Sequence, residues 1–397
     1  MALLRRRRGK IKFNLARPIL VLGLTAVLGY LLGFSHGYAL KGSLWPGGSP
    51  SQIGLAQQED FQLFWTVADI IGQKYYGNFD LGNLVYGSVQ GLVAALSDPY
   101  SSFDLPDTSK QFFQELAGNY EGIGVEVEYR DETLVVIAPV KGSPAYEAGV
   151  RPGDIILAID GKDTSSMDLV EALAKIRGPQ GSKVKLLIQR NGQNIIFEIT
   201  RTLVHIKSVT TKEEDGVFII SISKFAEDTD KLFNQAVSDI LKQNPSGVIL
   251  DLRHNPGGLL DSAVEVANEF LPAGKTIVEE RFRGGQKTIF TSDGSGRLTD
   301  IKLVVLINGG TASAGEIVAG ALGDNGRATL VGERSFGKGS VQEVDEFADG
   351  STLRLTIAEW FTPEGTSLKI GLKPDIELSD REEEDIILSK AKELLKQ

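Results

Sequence analysis

Ser313, Lys338 and Gln342 are the residues whose types and surroundings point to chemistry. Ser313 lies in Thr311-Ala312-Ser313-Ala314-Gly315-Glu316. An apolar β-type run, Leu303–Ile307, and an Asn308-Gly309-Gly310 turn precede it, and a helix-like run over 316–322 follows. Strand, glycine turn, serine, helix puts one hydroxyl at a helix N-terminus, where backbone N–H groups lack intrahelical partners and the dipole favours negative charge. Such a hydroxyl has oxyanion stabilisers beside it; the competing role is a plain N-cap. Lys338 sits between Gly337 and Gly339 in the stretch 332–342, sterically open on both sides. A lysine desolvated beside a serine can lose its proton near neutral pH and act as general base, whereas an ordinary loop lysine stays solvated. Gln342, four residues on, falls on the same side in a strand or a helix, and its amide can accept a hydrogen bond from the amine.

Three other patterns compete for these residues. Gly332-x4-Gly337-Lys338 resembles a phosphate-binding loop, but Gly339 stands where a Ser or Thr would hold Mg²⁺ and no clear helix follows. Ser335-x-x-Lys338 and Ser221-x-x-Lys224 fit an S-x-x-K pattern. That chemistry needs one helix face, which Gly337 and the β-type context of 219–223 disfavour. His254 could complete a triad with Ser313, although its glycine- and proline-rich loop suits a turn position better.

The elements that must position these groups follow from periodicity. A strand over 216–222, a helix over 230–243, a buried-type strand over 247–252 and a helix over 259–271 succeed one another. The second strand ends in Arg253-His254-Asn255-Pro256-Gly257-Gly258, and Leu303–Ile307 repeats the plan. Two strand–glycine–helix units predict a parallel sheet with ligands at the strand C-terminal ends. The Gly257-Gly258 and Ser313 turns should therefore be neighbours.

Upstream, Phe61, Phe64, Trp65, Ala68 and Ile71 recur at helical spacing, and a second helix over 84–96 stops at Asp98-Pro99-Tyr100. Residues 119–203 form a separate module. It contains Gly122-Ile123-Gly124-Val125, alternating strands, a Ser143-Pro144 helix start, a Val150-Arg151-Pro152-Gly153-Asp154 turn, a helix over 167–176 and two late strands. This module resembles a PDZ domain of the bacterial, permuted kind. By that resemblance the consecutive amides of Gly122, Ile123, Gly124 and Val125 hold a peptide C-terminal carboxylate, and the adjacent strand edge pairs with the peptide backbone.

Composition bounds the rest. The chain of 397 residues is 42% hydrophobic, enough for two or three domains with real cores. It contains no cysteine and three histidines, which excludes disulfides, thiolate metal sites and a cysteine nucleophile and argues against a His-rich metal site. Residues 1–40 carry +7 against a whole-chain charge of −10, leaving 41–397 at −17; an acidic body argues against nucleic acid. Residues 18–40 contain no Asp, Glu, Lys or Arg and read as a transmembrane signal anchor. The basic tail 1–17 stays cytoplasmic, which sends the remainder outward. A cleaved signal peptide is the rival reading, but no clear A-x-A site follows. A flexible linker over 41–56 leads to the helical region 57–118.

Taken together, Asp98-Pro99-Tyr100, Gly122-Ile123-Gly124, the run 251–260, Thr311–Glu316 and the run 335–342 resemble the C-terminal processing peptidases of family S41, over residues 59–374. The resemblance implies an α/β protease core of crotonase- or ClpP-like type over 204–376, with a parallel-type sheet. It also implies an inserted PDZ domain, an N-terminal transmembrane helix and a C-terminal helical tail over 377–397. It makes Ser313 the nucleophile, Lys338 the general base and Gln342 the residue that positions it. The amides of Ala314 and of Gly257 or Gly258 become the oxyanion hole, and Arg151 couples PDZ binding to activation. His254 replaces a common Asn. No metal or organic cofactor is expected. The expected partners are proteins or peptides bound by their C-termini, and the membrane through the N-terminal helix. A homodimer or larger ring, and a regulatory adaptor, are left open. A non-catalytic PDZ scaffold and a crotonase-like acyl-transferring enzyme are the alternatives from other classes.

Overall fold

The computed structural model describes residues 61–130, 133–243, 245–379 and 385–396. The expected span at 18–40, with its basic tail and linker, lies outside the described residues. Among the described residues no helix is long and apolar enough to cross a membrane. The described residues divide into two units, with the boundary between Asp80 and Leu81. In the first, helix α1 (Gln62–Lys74) buries none of its residues, and Phe64 meets Phe61 and Trp65 edge-on.

The second unit begins with α2 (Leu81–Ala94), the short strand β1 (Ser102–Asp104) and α3 (Pro106–Leu116). Pro106 opens α3 from an extended Leu105, the position where its missing N–H is harmless, and Asp107 complements the dipole of the first turn. Strand β2 (Asn119–Gly122) then leads into the inserted module. That module comprises β3 (Val125–Arg130), β4 (Thr133–Pro139), α4 (Pro144–Ala148), β5 (Ile155–Ile159), β6 (Lys162–Asp163), α5 (Leu169–Ile176), β7 (Lys183–Arg190) and β8 (Gln193–Thr200). Its antiparallel sheet runs β3-β4-β5-β7-β8, so β3 is an edge strand. Ile123, Leu134, Ile156, Leu186 and Ile188 are fully buried in its core. Strand β9 (Thr202–His205) pairs with β2, and this ribbon carries the chain in and out of the module.

The core follows in order: β10 (Val209–Glu214), β11 (Val217–Ile222), α6 (Thr229–Gln243), β12 (Gly247–Asp251), α7 (Leu260–Asn268), β13 (Thr276–Phe282), β14 (Lys287–Thr291), β15 (Leu303–Ile307), α8 (Ala314–Asp324), β16 (Thr329–Gly332), β17 (Ser340–Glu346), β18 (Thr352–Phe361), β19 (Ile376–Glu377) and α9 (Ile386–Lys396). One sheet has the order β10-β11-β12-β15-β16-β19 and is parallel except for the β10–β11 hairpin. Its central strands are largely apolar, and β15 is so at every position, because both faces are covered. Along β15, Leu303, Val305 and Ile307 join the layer under α6, α7 and α8, while Val304 and Leu306 meet Ile387, Ala391 and Leu395 of α9. A second sheet, β1-β18-β13-β14 with β17 also on β18, closes the site. The sequence expectations contain no such sheet: its strands are half-exposed, rich in charge, and brought together from distant segments.

Leu250, fully buried on β12 within the larger layer, tests this arrangement. Leu250→Ala should cost about 2–5 kcal/mol in urea unfolding. Ile289→Ala, at an exposed position on β14, should change stability by no more than about 0.5 kcal/mol.

Candidate active site

At the C-terminal ends of β12 and β15 the chain makes two turns that pack on each other. Asn255 joins them. Its buried side chain accepts the Gly257 amide at 2.8 Å and donates to the Ile222 carbonyl, while its backbone carbonyl accepts the Ala312 amide. Thr311, also buried, donates its hydroxyl to the Leu252 carbonyl at 2.8 Å. Gly258 forms a parallel bridge with Phe225, and a Cβ there would stand 1.9 Å from the Phe225 carbonyl oxygen, so no other residue fits.

Ser313 follows with φ 51° and ψ −117°, a conformation ordinarily left to glycine. A non-glycine residue held there stores about 1–3 kcal/mol of backbone strain, a feature of sharp strand-to-helix turns that carry nucleophiles. α8 starts at the next residue. Neither the Ala314 nor the Gly258 amide donates to any described residue, whereas the Gly257 amide is taken by Asn255.

Glu316, one turn into α8, is fully buried, and its carboxylate has four donors. Oε2 accepts the amides of Ser313 at 2.9 Å and Lys338 at 3.0 Å. Oε1 accepts the Ser335 hydroxyl at 2.6 Å and the Gly337 amide at 2.8 Å. Burial pushes this carboxyl up from its ordinary value, and the hydrogen bonds, which favour the charged form, oppose it. The glycine-rich loop that resembles a phosphate cradle thus turns its amides onto a carboxylate of the protein itself.

Ser313, Ala314, Gly258, Lys338 and Gln342 line one cavity of about 490 Å³. Lys338 is half-buried. Burial pushes its ammonium down from the ordinary 10.5, and the nearby Arg354 guanidinium acts in the same direction. Its Nζ stands 5.5 Å from the centre of the Tyr100 ring, which the Asp98-Pro99-Tyr100 turn brings to the cavity wall. Among the described residues no hydrogen bond joins Ser313 Oγ to Lys338 Nζ. Gln342 donates to Ser340 Oγ at 2.7 Å and Thr356 Oγ1 at 3.4 Å rather than bonding Lys338. The His254 ring is engaged with Asn308 at 2.9 Å.

In the inserted module, Gly122 ends β2, and Ile123 and Gly124 lead to the edge strand β3 that starts at Val125. The Gly124 carbonyl accepts from Val140 N and Ser143 Oγ, while the amides of Ile123 and Gly124 make no bond to a described residue. Arg151 is exposed, and its amide donates to Asp154. Arg190 forms the ion pair with buried Asp154, at 2.6 Å.

A PDZ-type module ahead of an α/β core with a strained serine at a helix N-terminus defines a PDZ-bearing peptidase architecture. Sequence profiles agree: Peptidase family S41 matches residues 216–378, PDZ domain matches 135–190, and Activating protease CtpB N-terminal domain matches 49–108. The chain is 39% identical over 309 residues to the carboxy-terminal processing protease CtpA of Bacillus subtilis strain 168, covering 77% of this chain and 66% of that one. It is 36% identical to a probable CtpA-like serine protease of Staphylococcus aureus strain COL, covering 82% and 66%. It therefore spans about two thirds of these curated relatives' length. The solved photosystem II D1 C-terminal processing protease is 31% identical with a TM-score of 0.54, covering 81% of this chain and 88% of that one. The chain belongs to peptidase family S41.

Sequence reasoning gave no role to Glu316, Asn255, Thr311 or Tyr100, although all four lie within the quoted motifs; Arg190 left no local signal. Glu316→Gln removes the charge that four donors converge on and turns an N–H₂ toward some of them. Ser313 and Lys338 should then lose register, and peptide hydrolysis should fall about 100-fold, the scale of a misplacement near 1 Å. Steady-state kinetics against an unchanged far-ultraviolet spectrum would check it. Activity within a few-fold of wild type would remove Glu316 from the site.

Proposed function

We propose that this chain is a serine endopeptidase with a Ser–Lys dyad, acting on extracytoplasmic proteins whose C-termini bind the PDZ domain. One observation carries the reading. The strained Ser313 and the half-buried Lys338, whose ammonium has no carboxylate partner among the described residues, share one cavity. Neutral Lys338 takes the Ser313 proton as Oγ attacks the scissile carbonyl, then gives it to the leaving amine. A water, deprotonated by the same amine, hydrolyses the acyl ester. The Ala314 and Gly258 amides hold the oxyanion; Gly258 is preferred over Gly257 because Asn255 already accepts the Gly257 amide. Gln342, with its nitrogen held by Ser340 and Thr356, has its carbonyl oxygen left for the lysine ammonium. We read the parallel sheet with its strand-end amides as crotonase- or ClpP-like.

The amides of Ile123 and Gly124 and the open edge of β3 support capture of a peptide C-terminus. The charge-free run at 18–40 behind seven basic residues supports a single-pass anchor with the catalytic part outside.

Cleavage of an unfolded protein with an apolar C-terminus tests the dyad. Ser313→Ala should abolish it, and Lys338→Ala should lower it about 10²–10⁴-fold. Because the amine must be neutral, the wild-type rate should rise with pH along a limb whose apparent pKa lies below 10.5. Lys338→Arg, which stays charged, should not restore activity. Cleavage that survives Ser313→Ala would sink the assignment.

Arg151, exposed and without an ion-pair partner among the described residues, is the proposed link between PDZ occupancy and the site. Arg151→Ala should abolish the stimulation that an apolar C-terminus gives over an amidated one. Undiminished stimulation in that variant would remove Arg151 from the coupling.

A further inference from the structure

The cavity that holds Ser313 has a second lysine in its wall. Lys224 stands just beyond the end of β11, next to Phe225, whose backbone brackets the Gly257-Gly258 turn. Its ammonium donates to the carbonyl of Glu115, near the C-terminus of α3, at 2.5 Å. An ammonium has three donors, and this is the one bond the Lys224 ammonium makes among the described residues. No described carboxylate lies within ion-pairing distance. The Glu115 carboxylate faces Arg177, the residue that caps the C-terminus of α5, at 3.8 Å.

The other cations of this wall are accounted for. Arg354 is held by both oxygens of Asp104, at 2.7 and 3.3 Å. Lys338 is pushed toward neutrality by burial, as its role requires. Lys224 thus keeps an uncompensated charge inside the cavity. Burial disfavours that charge, and the guanidinium of Arg177 acts in the same direction, while Glu115 partly offsets both. A half-desolvated ammonium without a counter-ion is poorly satisfied, so a ligand carboxylate brought beside it completes an interaction the protein leaves unfinished. Arg177 adds positive potential from the PDZ side. The Ser221-x-x-Lys224 pattern has no catalytic geometry, since Ser221 lies within β11 opposite Asp251; the lysine alone reaches the cavity.

We infer that Lys224 forms an anion subsite of the cleavage cavity, taking a substrate carboxylate beside the scissile bond. The carboxylate would come from an Asp or Glu side chain or from the substrate's own C-terminus. This inference rests on the reading of Ser313 as nucleophile.

The test uses matched peptides on the full chain. One set exchanges Glu for Gln at each position flanking the scissile bond; the other exchanges a C-terminal acid for its amide. Wild type, Lys224→Gln and Lys224→Arg are compared by kcat/KM. Glutamine can still donate to the Glu115 carbonyl, so the hold on α3 survives while the charge is lost. The same pairs are titrated onto Ser313→Ala by fluorescence anisotropy, which reports the subsite whether or not a bond is cut. Wild type and Lys224→Arg should prefer the acid member of one pair about tenfold, the scale of a charge-assisted hydrogen bond, and Lys224→Gln should bring that ratio to near one. The set that responds identifies the source of the carboxylate. A preference that persists in Lys224→Gln belongs to the PDZ loop and overturns the inference, as does equal handling of both members by wild type in binding and cleavage. Failure of the protease reading would be seen separately, as wild-type cleavage that is absent or indifferent to Ser313→Ala.

Discussion

One carboxylate oxygen, Glu316 Oε2, accepts the backbone amides of both Ser313 and Lys338, and the site depends on that shared acceptor. The two residues belong to different strand-end loops. Ser313 opens α8 behind β15, and Lys338 precedes β17 of the second sheet. A buried carboxylate with four donors is costly to desolvate, so it persists only because its surroundings supply every donor. In return it fixes both backbones against one rigid point on a helix. The strain at Ser313 needs such a frame. Asn255 supplies the rest of it from the opposite loop, and Thr311, two residues before Ser313, reaches across to the Leu252 carbonyl of that loop.

The parallel sheet was legible because its strands are buried on both faces and read as unbroken apolar runs. Leu303–Ile307 and Gly247–Asp251 carry that signal, and the glycine turns after them carry the site. The neighbouring second sheet was not legible. Strand β17, Ser-Val-Gln-Glu-Val-Asp-Glu, is largely exposed and acidic, and its pairing with β18 is decided by tertiary contact rather than by local pattern. Ser313, Lys338 and Gln342 were singled out by type and spacing, and the fold brings all three to one cavity. Glu316 was hidden for a different reason: an acid at the third position of a helix already has a sufficient explanation as part of a capping box. Its reach to Ser335, Gly337 and Lys338 exists only once the two loops are folded together.

The cavity is assembled from more than the α/β core. Pro99, Tyr100, Phe112 and Leu116 come from the helical region ahead of the PDZ module, and Glu115, at the end of the same helix, meets Arg177 from the module and Lys224 from the core. α3 therefore lies against the cavity, the inserted module and the core at once. The two-stranded β2–β9 ribbon follows it directly, with only two residues between α3 and β2. A displacement of the module has a short, stiff route to the wall of the cavity, through one helix and the ion pair at its end.

The geometry also limits where activation can occur. In the proposed mechanism a proton passes from Ser313 Oγ to Lys338 Nζ, yet no hydrogen bond joins them among the described residues. Both backbones are anchored on Glu316, so the change required lies in the side chains, chiefly in the long stem of the lysine. Gln342 is placed to receive it. Between β17 and β18 the register shifts from Val341 opposite Ala358 to Gln342 opposite Thr356, skipping Ile357, and such an irregularity re-aims the side chains beside it. Gln342 Nε2 is held by Ser340 and Thr356 at that point, which fixes its amide while leaving the oxygen without a described partner. The irregularity in the second sheet and the shared carboxylate of α8 thus act on the same lysine from opposite ends. One fixes its backbone, and the other, in the proposed mechanism, would offer its ammonium a fixed acceptor once the side chain turns.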